Sequence, residues 1–177
     1  MILVFIEHKE CVLNKTSLEA VAAAQEIGKS LGLKVSAVLP CDKDCALAQE
    51  IAGYDLEKVI VAKNEKLGIY TPDGYADAWE QVVKAINPQY IVMSHTYQVR
   101  DFAPKVAARL GREVVGDCIR YKLSEPGAVA TGFPLVLSRR IFLGKLDADV
   151  TIGGDAPYFV TFQSGSFRGE NAEKGSA

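Results

Sequence analysis

The chain has 177 residues, of which 49% are apolar, and it carries a formal net charge of -2. This length predicts one α/β domain, or one domain with a short appendage, and the apolar content is enough for a core. The near-neutral charge does not indicate nucleic acid or an anionic membrane as a partner, and no apolar run approaches the ~20 residues that span a bilayer.

The amino terminus and the cysteines predict a cytoplasmic protein. MILVFI is apolar but has neither the basic lead nor the small-residue cleavage site of a signal peptide. Four cysteines without a secretory signal favour reduced thiols. Cys41 and Cys45 form a C-x₃-C pair, but His8 and His95 are not spaced to complete a metal site. We therefore expect no metal, and a redox or metal role for the pair is the alternative.

Alternating strands and helices predict a doubly wound parallel sheet with right-handed crossovers. Apolar runs predict buried strands at 2–6, 34–39, 57–62 and 90–93, with a fifth strand beginning near Glu113. Helices are predicted at 16–31, opened by a Thr16/Glu19 capping box, at 41–52, along an apolar face from Ala76 to Ile86, and after Asp101 as N-cap.

The pattern changes after about Asp117. Short β-rich pieces at 121–123, 129–137, 140–146, 148–152 and 158–162 predict antiparallel strands that extend one edge of the sheet. The last ten residues, RGENAEKGSA, are polar and glycine-containing, which is typical of a linker or tail. We therefore assign residues 1–167 to a single α/β domain and 168–177 to a linker or tail.

Two polar clusters follow the first and fourth strands, which we expect to be neighbours in the sheet. Their side chains are candidates for one crevice that binds a nucleotide or a partner: Glu7, His8, Ser94, His95, Arg100 and Asp101. The alternative is that Asp101 only caps its helix and Arg100 only pairs with a surface carboxylate. Arg139, Arg140, Arg109 and Arg112 are compatible with an anion patch, but the interleaved acidic residues favour solvated surface.

No motif for catalysis or dinucleotide binding is present. The sequence contains no Walker loop, G-x-G-x-x-G, G-x-S-x-G or H-E-x-x-H. The first strand-to-helix turn, EHKECVLNKTS, has no glycine to let a pyrophosphate approach the backbone. We therefore assign no catalytic residue and expect the chain not to be an enzyme.

The segment SHTYQVRDFAPKVAARLGREVVGDC resembles a segment of electron transfer flavoprotein alpha subunits that reads T-x-x-G-R-D-L-A-P-R-x-A-A-x-L, with Asp seven residues later. The matching positions are Arg100, Asp101, Ala103, Pro104, Ala107, Ala108, Leu110 and Asp117. The opening strand ending in Glu-His, IAGYDLEKVIVA and RRIFLG are also similar to segments of that family. The chain departs from the family at Val99, where glycine is common, and at Gln163 and Ser164, where the family has Arg-Pro.

This resemblance implies the amino-terminal domain of an alpha-type subunit, with an adenine-nucleotide-hydrolase-like α/β fold and without the carboxyl-terminal FAD domain. It implies FAD in the complete assembly, which this chain alone is not expected to hold. It also implies a beta-type subunit as partner, and dehydrogenase and acceptor proteins served through the assembly. We expect hydrophobic edge strands in the carboxyl-terminal third to be the docking surface. The alternative function is a small adenine-nucleotide-binding module that uses the crevice.

Overall fold

A computed structural model describes residues 1–124 and 134–177. Its strands are β1 (Ile2–Phe5), β2 (His8–Lys9), β3 (Val12–Leu13), β4 (Val35–Cys41), β5 (Lys58–Lys63), β6 (Tyr90–Ser94), β7 (Val114–Leu123), β8 (Leu135–Ile141), β9 (Leu146–Val150) and β10 (Tyr158–Phe162). Its helices are α1 (Thr16–Leu31), α2 (Leu47–Ala52), α3 (Pro72–Ile86) and α4 (Tyr97–Arg109), with short 3₁₀ helices at Glu65–Leu67 and Gly169–Asn171. None of these helices is long and apolar enough to cross a membrane.

The main sheet has eight strands in the order β5-β4-β1-β6-β10-β7-β8-β9. The first six are parallel, and β8 and β9 are antiparallel additions. The predicted fold class is therefore confirmed. The first and fourth predicted strands, β1 and β6, are neighbours as expected, with Ile2 opposite Tyr90.

Strand β1 lies at the centre of two apolar layers. All four of its residues are buried. Ile2 and Val4 pack with α1 and α2, whereas Leu3 and Phe5 pack with α3 and α4. A continuous apolar run is what a parallel strand covered on both faces requires.

Strand β10 corrects the predicted topology. The segment 158–162 was predicted as an antiparallel edge strand, but it is parallel and lies between β6 and β7. All five of its residues, YFVTF, are buried, because both faces of this interior strand are covered. The predicted strand at 140–146 is also wrong, since Ile141 and Leu146 flank a four-residue turn between β8 and β9. The part of the predicted 129–137 strand before residue 134 lies outside the described residues.

One predicted helix start and one predicted helix cap are wrong as well. Residues 41–46 do not belong to a helix: β4 continues through Pro40 to Cys41, and α2 begins only at Leu47. Pro40 is tolerated because β1 ends opposite Val38. No carbonyl of β1 therefore lies opposite the N–H that Pro40 lacks. At α1, Thr16 is the first helical residue and not the cap, and Asn14 Oδ1 accepts a hydrogen bond from its backbone N–H at 3.2 Å.

Residues 168–177 lie against α1 and α2. Ala172 is buried, Glu173 N–H donates to Gln25 Oε1 at 2.8 Å, and Gly175 N–H donates to the Gly53 carbonyl at 3.1 Å. The polar composition of this segment gave no sign of these contacts. The division of the chain at residue 167 stays a prediction.

Candidate functional site

The carboxyl ends of β1, β4 and β6 border a cleft of about 1050 Å³. This is the edge of a parallel sheet at which ligands bind in doubly wound folds. Four of the six predicted site residues line the cleft, namely Glu7, His8, His95 and Arg100, and two do not, namely Ser94 and Asp101. The structure therefore brings most of the predicted set together, and whether the set binds a ligand stays a prediction.

Glu7 forms hydrogen bonds to three residues from different segments at the base of the cleft. Its Oε1 accepts a hydrogen bond from Asn14 Nδ2 at 2.7 Å, and its Oε2 accepts one from Thr96 Oγ1. Its backbone N–H donates to Ser17 Oγ at 2.9 Å. Because both carboxylate oxygens already have protein donors, Glu7 holds the loops after β1 and β6 in place.

His8 presents a ring nitrogen without a partner. Its Nε2 lies 2.6 Å from the Pro40 carbonyl oxygen, which can only accept, so Nε2 carries the proton. Nδ1 is buried and has no hydrogen-bond partner among the residues that the structure describes. His8 therefore offers a lone pair beside the cleft.

His95 is fixed between two neighbouring strands. Its backbone N–H donates to the Phe162 carbonyl at 2.7 Å, and Nδ1 lies 2.7 Å from Thr161 Oγ1. Nε2 is 4.0 Å from Asp117 Oδ1. Burial lowers the pKa of His95; Asp117 opposes this shift, whereas the positive charges of Arg100 and Arg139 add to it. His95 is thus held mainly in its neutral form.

The lowered pKa of His95 predicts a loss of stability in mild acid. The unfolded chain takes up this proton at about pH 6.5, before the native chain does. The contribution of His95 to the free energy of unfolding is therefore complete above about pH 6.5 and is lost as the pH falls toward the native pKa. Urea unfolding from pH 7.5 to pH 5 should show a smaller decline for His95→Gln than for the wild type, whereas His8→Gln should leave the His95 contribution in place. An unchanged slope for His95→Gln would contradict this.

Ser94 and Asp101 do not line the cleft, and both have structural hydrogen-bond partners. Ser94 is buried, and its hydroxyl donates to the Thr16 carbonyl. Asp101 is not the N-cap of α4, because Thr96 holds that position and accepts a hydrogen bond from Val99 N–H at 3.2 Å. Asp101 instead accepts one from the Tyr70 hydroxyl at 3.0 Å. Burial, with this hydrogen bond next, raises the pKa of Tyr70.

The sequence did not indicate Thr161, whose side chain contacts both His95 and Asp117. Its Oγ1 lies against His95 Nδ1 and also accepts a hydrogen bond from Asp117 N–H at 3.1 Å. Asp117 has a φ of 61°, a left-handed conformation that is uncommon for residues other than glycine. No local signal marked Thr161, because its strand was assigned to the wrong place in the sheet.

The cysteines differ from the expectation of four reduced thiols. The structure joins Cys11, at the cleft, to Cys45 in a disulfide, while Cys41 and Cys118 are free and buried. Burial raises the pKa of the Cys118 thiol to about 12. Within the described residues, no group of three or more His, Cys, Asp or Glu side chains could hold a metal ion.

Comparison with known proteins defines the class to which this fold and cleft belong. The model of the electron transfer flavoprotein domain family matches residues 2–177. The chain therefore belongs to the electron transfer flavoprotein family.

Two of the relatives that the chain matches have alpha-subunit names, and a third is named a beta subunit. The chain is 28% identical over 164 residues to the electron transfer flavoprotein subunit alpha of Clostridium acetobutylicum, covering 93% of this chain and 47% of the relative. It is 32% identical over 162 residues to the alpha subunit of Bacillus subtilis, covering 92% and 47%. It is also 33% identical over 115 residues to the acryloyl-CoA reductase electron transfer subunit beta of Anaerotignum propionicum, covering 65% and 31%.

The chain spans about half the length of the alpha subunits that it matches. The predicted resemblance to alpha subunits is confirmed, and this coverage is consistent with one domain of such a subunit.

Proposed function

We propose that this chain is an alpha-type domain that docks a beta-type subunit and supports a flavin domain, which carries electrons between dehydrogenases and an acceptor. In this proposal the chain is a scaffold of an electron carrier and not an enzyme, and it works in the cytoplasm. The family match supports the alpha-type assignment. The observation that carries the docking role is an exposed apolar turn at the antiparallel edge of the sheet.

This turn joins β8 to β9 and exposes large apolar side chains, which we call the hairpin tip: Phe142, Leu143 and Leu146. Their exposed fractions are 70%, 103% and 57%. Interfaces bury such side chains at their centre, where charged residues are depleted. The tip therefore has the composition of a contact surface.

The backbone of the tip is unfavourable for the residues that occupy it. Phe142 has a φ of 51° and Leu143 a φ of 56°. Turns with positive φ favour Gly, Asn or Asp, and a bulky apolar residue there is an outlier. Strained residues of this kind cluster at functional positions. The presence of two apolar residues at this turn supports a role in contact.

The two carboxylates beside the tip are already paired within the sheet, whereas Lys145 in the turn itself is exposed. Asp147 Oδ2 lies 3.1 Å from Arg120 Nη1, and its Oδ1 lies 3.6 Å from Arg140 Nε. Asp149 Oδ2 lies 2.7 Å from Lys122 Nζ. Because these carboxylates have partners on β7 and β8, the outer edge strand β9 presents a nearly neutral surface, and unpaired edges of this kind invite pairing.

Co-expression with a beta-type electron transfer flavoprotein subunit tests the docking role. We expect the two chains to elute together in size exclusion, with the mass of a one-to-one complex. Separate elution of two folded chains would contradict the proposal. Elution of this chain alone as a dimer that excludes the beta-type subunit would assign the hairpin tip to self-association instead.

The chain alone is expected to purify without flavin. One backbone N–H at each of three helix N-termini already has a side-chain acceptor: Asn14 accepts from Thr16 N–H, Thr71 from Gly74 N–H at 3.3 Å, and Thr96 from Val99 N–H. These donors are therefore not free for the pyrophosphate of FAD. On this basis we expect the described residues not to form a complete FAD site.

An absorbance scan of the purified chain checks this prediction. We expect no flavin band, or one well below one equivalent, at a protein concentration set by the absorbance of Trp79 and the tyrosines. A flavin band near one equivalent would show that the chain holds a complete cofactor site.

The cleft supports a second candidate function, the adenine-nucleotide-binding module. Its volume suits a small ligand. Tyr97 at its rim is 89% exposed and offers a ring on which a base can stack. Isothermal titration with AMP, ADP and ATP tests this function, and the absence of both heat and a thermal shift with all three would remove it.

A further inference from the structure

A groove on the other side of His95 is lined by arginines that form no ion pair with a carboxylate among the described residues. It has a volume of about 400 Å³ and runs between α4 and strands β7 and β10. Arg100, Arg112 and Arg139 line it, together with His95. No Asp or Glu belongs to its described lining.

The arginines that line the groove differ from the other arginines of the chain in their ion pairing. The chain has seven arginines. In the described part of the chain, four of them, Arg109, Arg120, Arg140 and Arg168, form ion pairs with Asp or Glu. The remaining three, which form none there, are the three that line this groove. Their formal charge of about +3 is left without a counterion within the groove.

Arg112 is partly anchored, and both Arg112 and Arg139 keep donors free. Arg112 Nε donates to the Ala156 carbonyl at 2.9 Å and Nη1 donates to the Gly111 carbonyl at 3.2 Å, so Nη2 remains available. Arg139 Nε is buried and has no acceptor among the described residues. Buried guanidinium donors normally have a hydrogen-bond acceptor. The Nε of Arg139 therefore indicates a position for an acceptor from a bound ligand.

The shape of the groove suits a compact anion. Its α4 wall consists of small residues, including the buried Ala103 and Ala107, and its β7 wall includes Gly116. A Cβ at Gly116 would come within 3.2 Å of both His95 Cε1 and Thr161 Oγ1, so a side chain there would be tightly packed against both. Asp117 lies on the cleft side of the His95 ring and does not line the groove.

We propose that this groove binds the diphosphate group of a small phosphorylated ligand. A single carboxylate would neutralise only a third of the arginine charge, whereas a diphosphate carries two to three negative charges and many acceptor oxygens for guanidinium forks. The site goes beyond the proposed docking role and does not depend on it. Because the proposed contacts are to the diphosphate alone, FAD should bind no more tightly than ADP.

Titration of the full chain with inorganic pyrophosphate tests the site. We expect saturable binding by calorimetry, at least tenfold tighter than binding of inorganic phosphate. Arg139→Gln and Arg100→Gln should each weaken it by about tenfold or more, because each removes a charged donor. Arg120→Gln removes the same charge from a paired position and should change the affinity by less than about twofold.

The imidazole of His95 supplies a second readout. An anion between Arg100 and Arg139 screens the charges that lower the pKa of His95, so pyrophosphate should raise the pKa measured by NMR. The chain has two histidines, so His8→Gln assigns the resonance. An unmoved His95 resonance under saturating pyrophosphate would overturn the site.

Two further arms separate the possible sources of the anion. ADP binding at least as tight as that of pyrophosphate, and lost in Arg139→Gln, supports a nucleotide diphosphate, whereas weaker ADP binding supports free diphosphate. Arg139 lines the groove and not the cleft, so Arg139→Gln should not change the affinity of a nucleotide bound in the cleft. ADP binding that is unchanged in Arg139→Gln would therefore overturn the proposal. A triglutamate peptide that binds as tightly as pyrophosphate would also overturn it, in favour of a protein carboxylate. No binding of pyrophosphate at millimolar concentration excludes the site outright.

Discussion

Phe102→Ala is expected to lower the free energy of unfolding by about 3 to 5 kcal/mol. Phe102 is fully buried, and its ring centroid lies 5.3 Å from that of Phe5, 5.9 Å from Tyr75 and 6.2 Å from Trp79. This aromatic cluster joins β1, α3 and α4. Truncation removes the shared centre and leaves a cavity that rigid neighbours cannot fill. Domains of this size are typically stable by about 5 to 15 kcal/mol, so the loss is a large fraction of the total.

Urea unfolding followed by circular dichroism measures this loss. Phe142→Ala is the matched control, because it removes the same side chain from a position that is 70% exposed. We expect the control to change the free energy of unfolding by less than about 0.5 kcal/mol. Equal effects of the two substitutions would show that Phe102 is not the centre of the α3–α4 layer.

Phe142→Asn with Leu143→Asn is expected to weaken docking of a beta-type subunit by about tenfold to a hundredfold. The double variant removes two large apolar contacts from the hairpin tip. It should not destabilise the domain, because asparagine adopts positive φ more readily than phenylalanine or leucine. A loss of affinity without a loss of stability separates a contact role from a structural one.

Surface plasmon resonance and urea unfolding of the same preparations test both halves of this expectation. The control is Ile69→Asn, which removes an apolar side chain of similar exposure, 80%, from the rim of the cleft. The control should bind the beta-type subunit with wild-type affinity. Equal weakening of binding by the control and the double variant would indicate that the docking surface includes the cleft. Unchanged affinity in the double variant would show that the hairpin tip is not part of the interface.

The centre of the sheet could be predicted because its signal is local. The apolar run at Ile2–Phe5 is typical of a strand buried on both faces, and it is one. Strand β10 has the same kind of signal, but its neighbours are set by a chain reversal over β8 and β9 that no short pattern encodes. A buried run alone therefore indicated that β10 is a strand without indicating where it inserts.

The site shows the same division between local and distant information. Glu7, His8 and His95 directly follow β1 or β6, so neighbouring strands brought them together as predicted. Thr96 and Asp101 are both good cap residues. Thr96 holds the cap, and Asp101 instead accepts a hydrogen bond from Tyr70, which lies far away in sequence.

The arginine groove was beyond the reach of sequence reasoning. Arg100, Arg112 and Arg139 come from three different elements, and nothing near each one distinguishes it from the four arginines that form ion pairs. The anion patch considered from the sequence included Arg109 and Arg140, which are paired in the structure, and omitted Arg100. Only tertiary packing separates the two sets.

Hydrogen–deuterium exchange of this chain, free and mixed with a beta-type subunit, tests most directly whether the hairpin tip docks the partner. Peptides covering residues 140–150 should gain protection in the complex, because the hairpin tip and the outer edge of β9 become buried, while peptides of the cleft rim at 67–70 should not change. Protection confined to the cleft, or unchanged exchange at 140–150 within a complex that does form, would contradict this docking role.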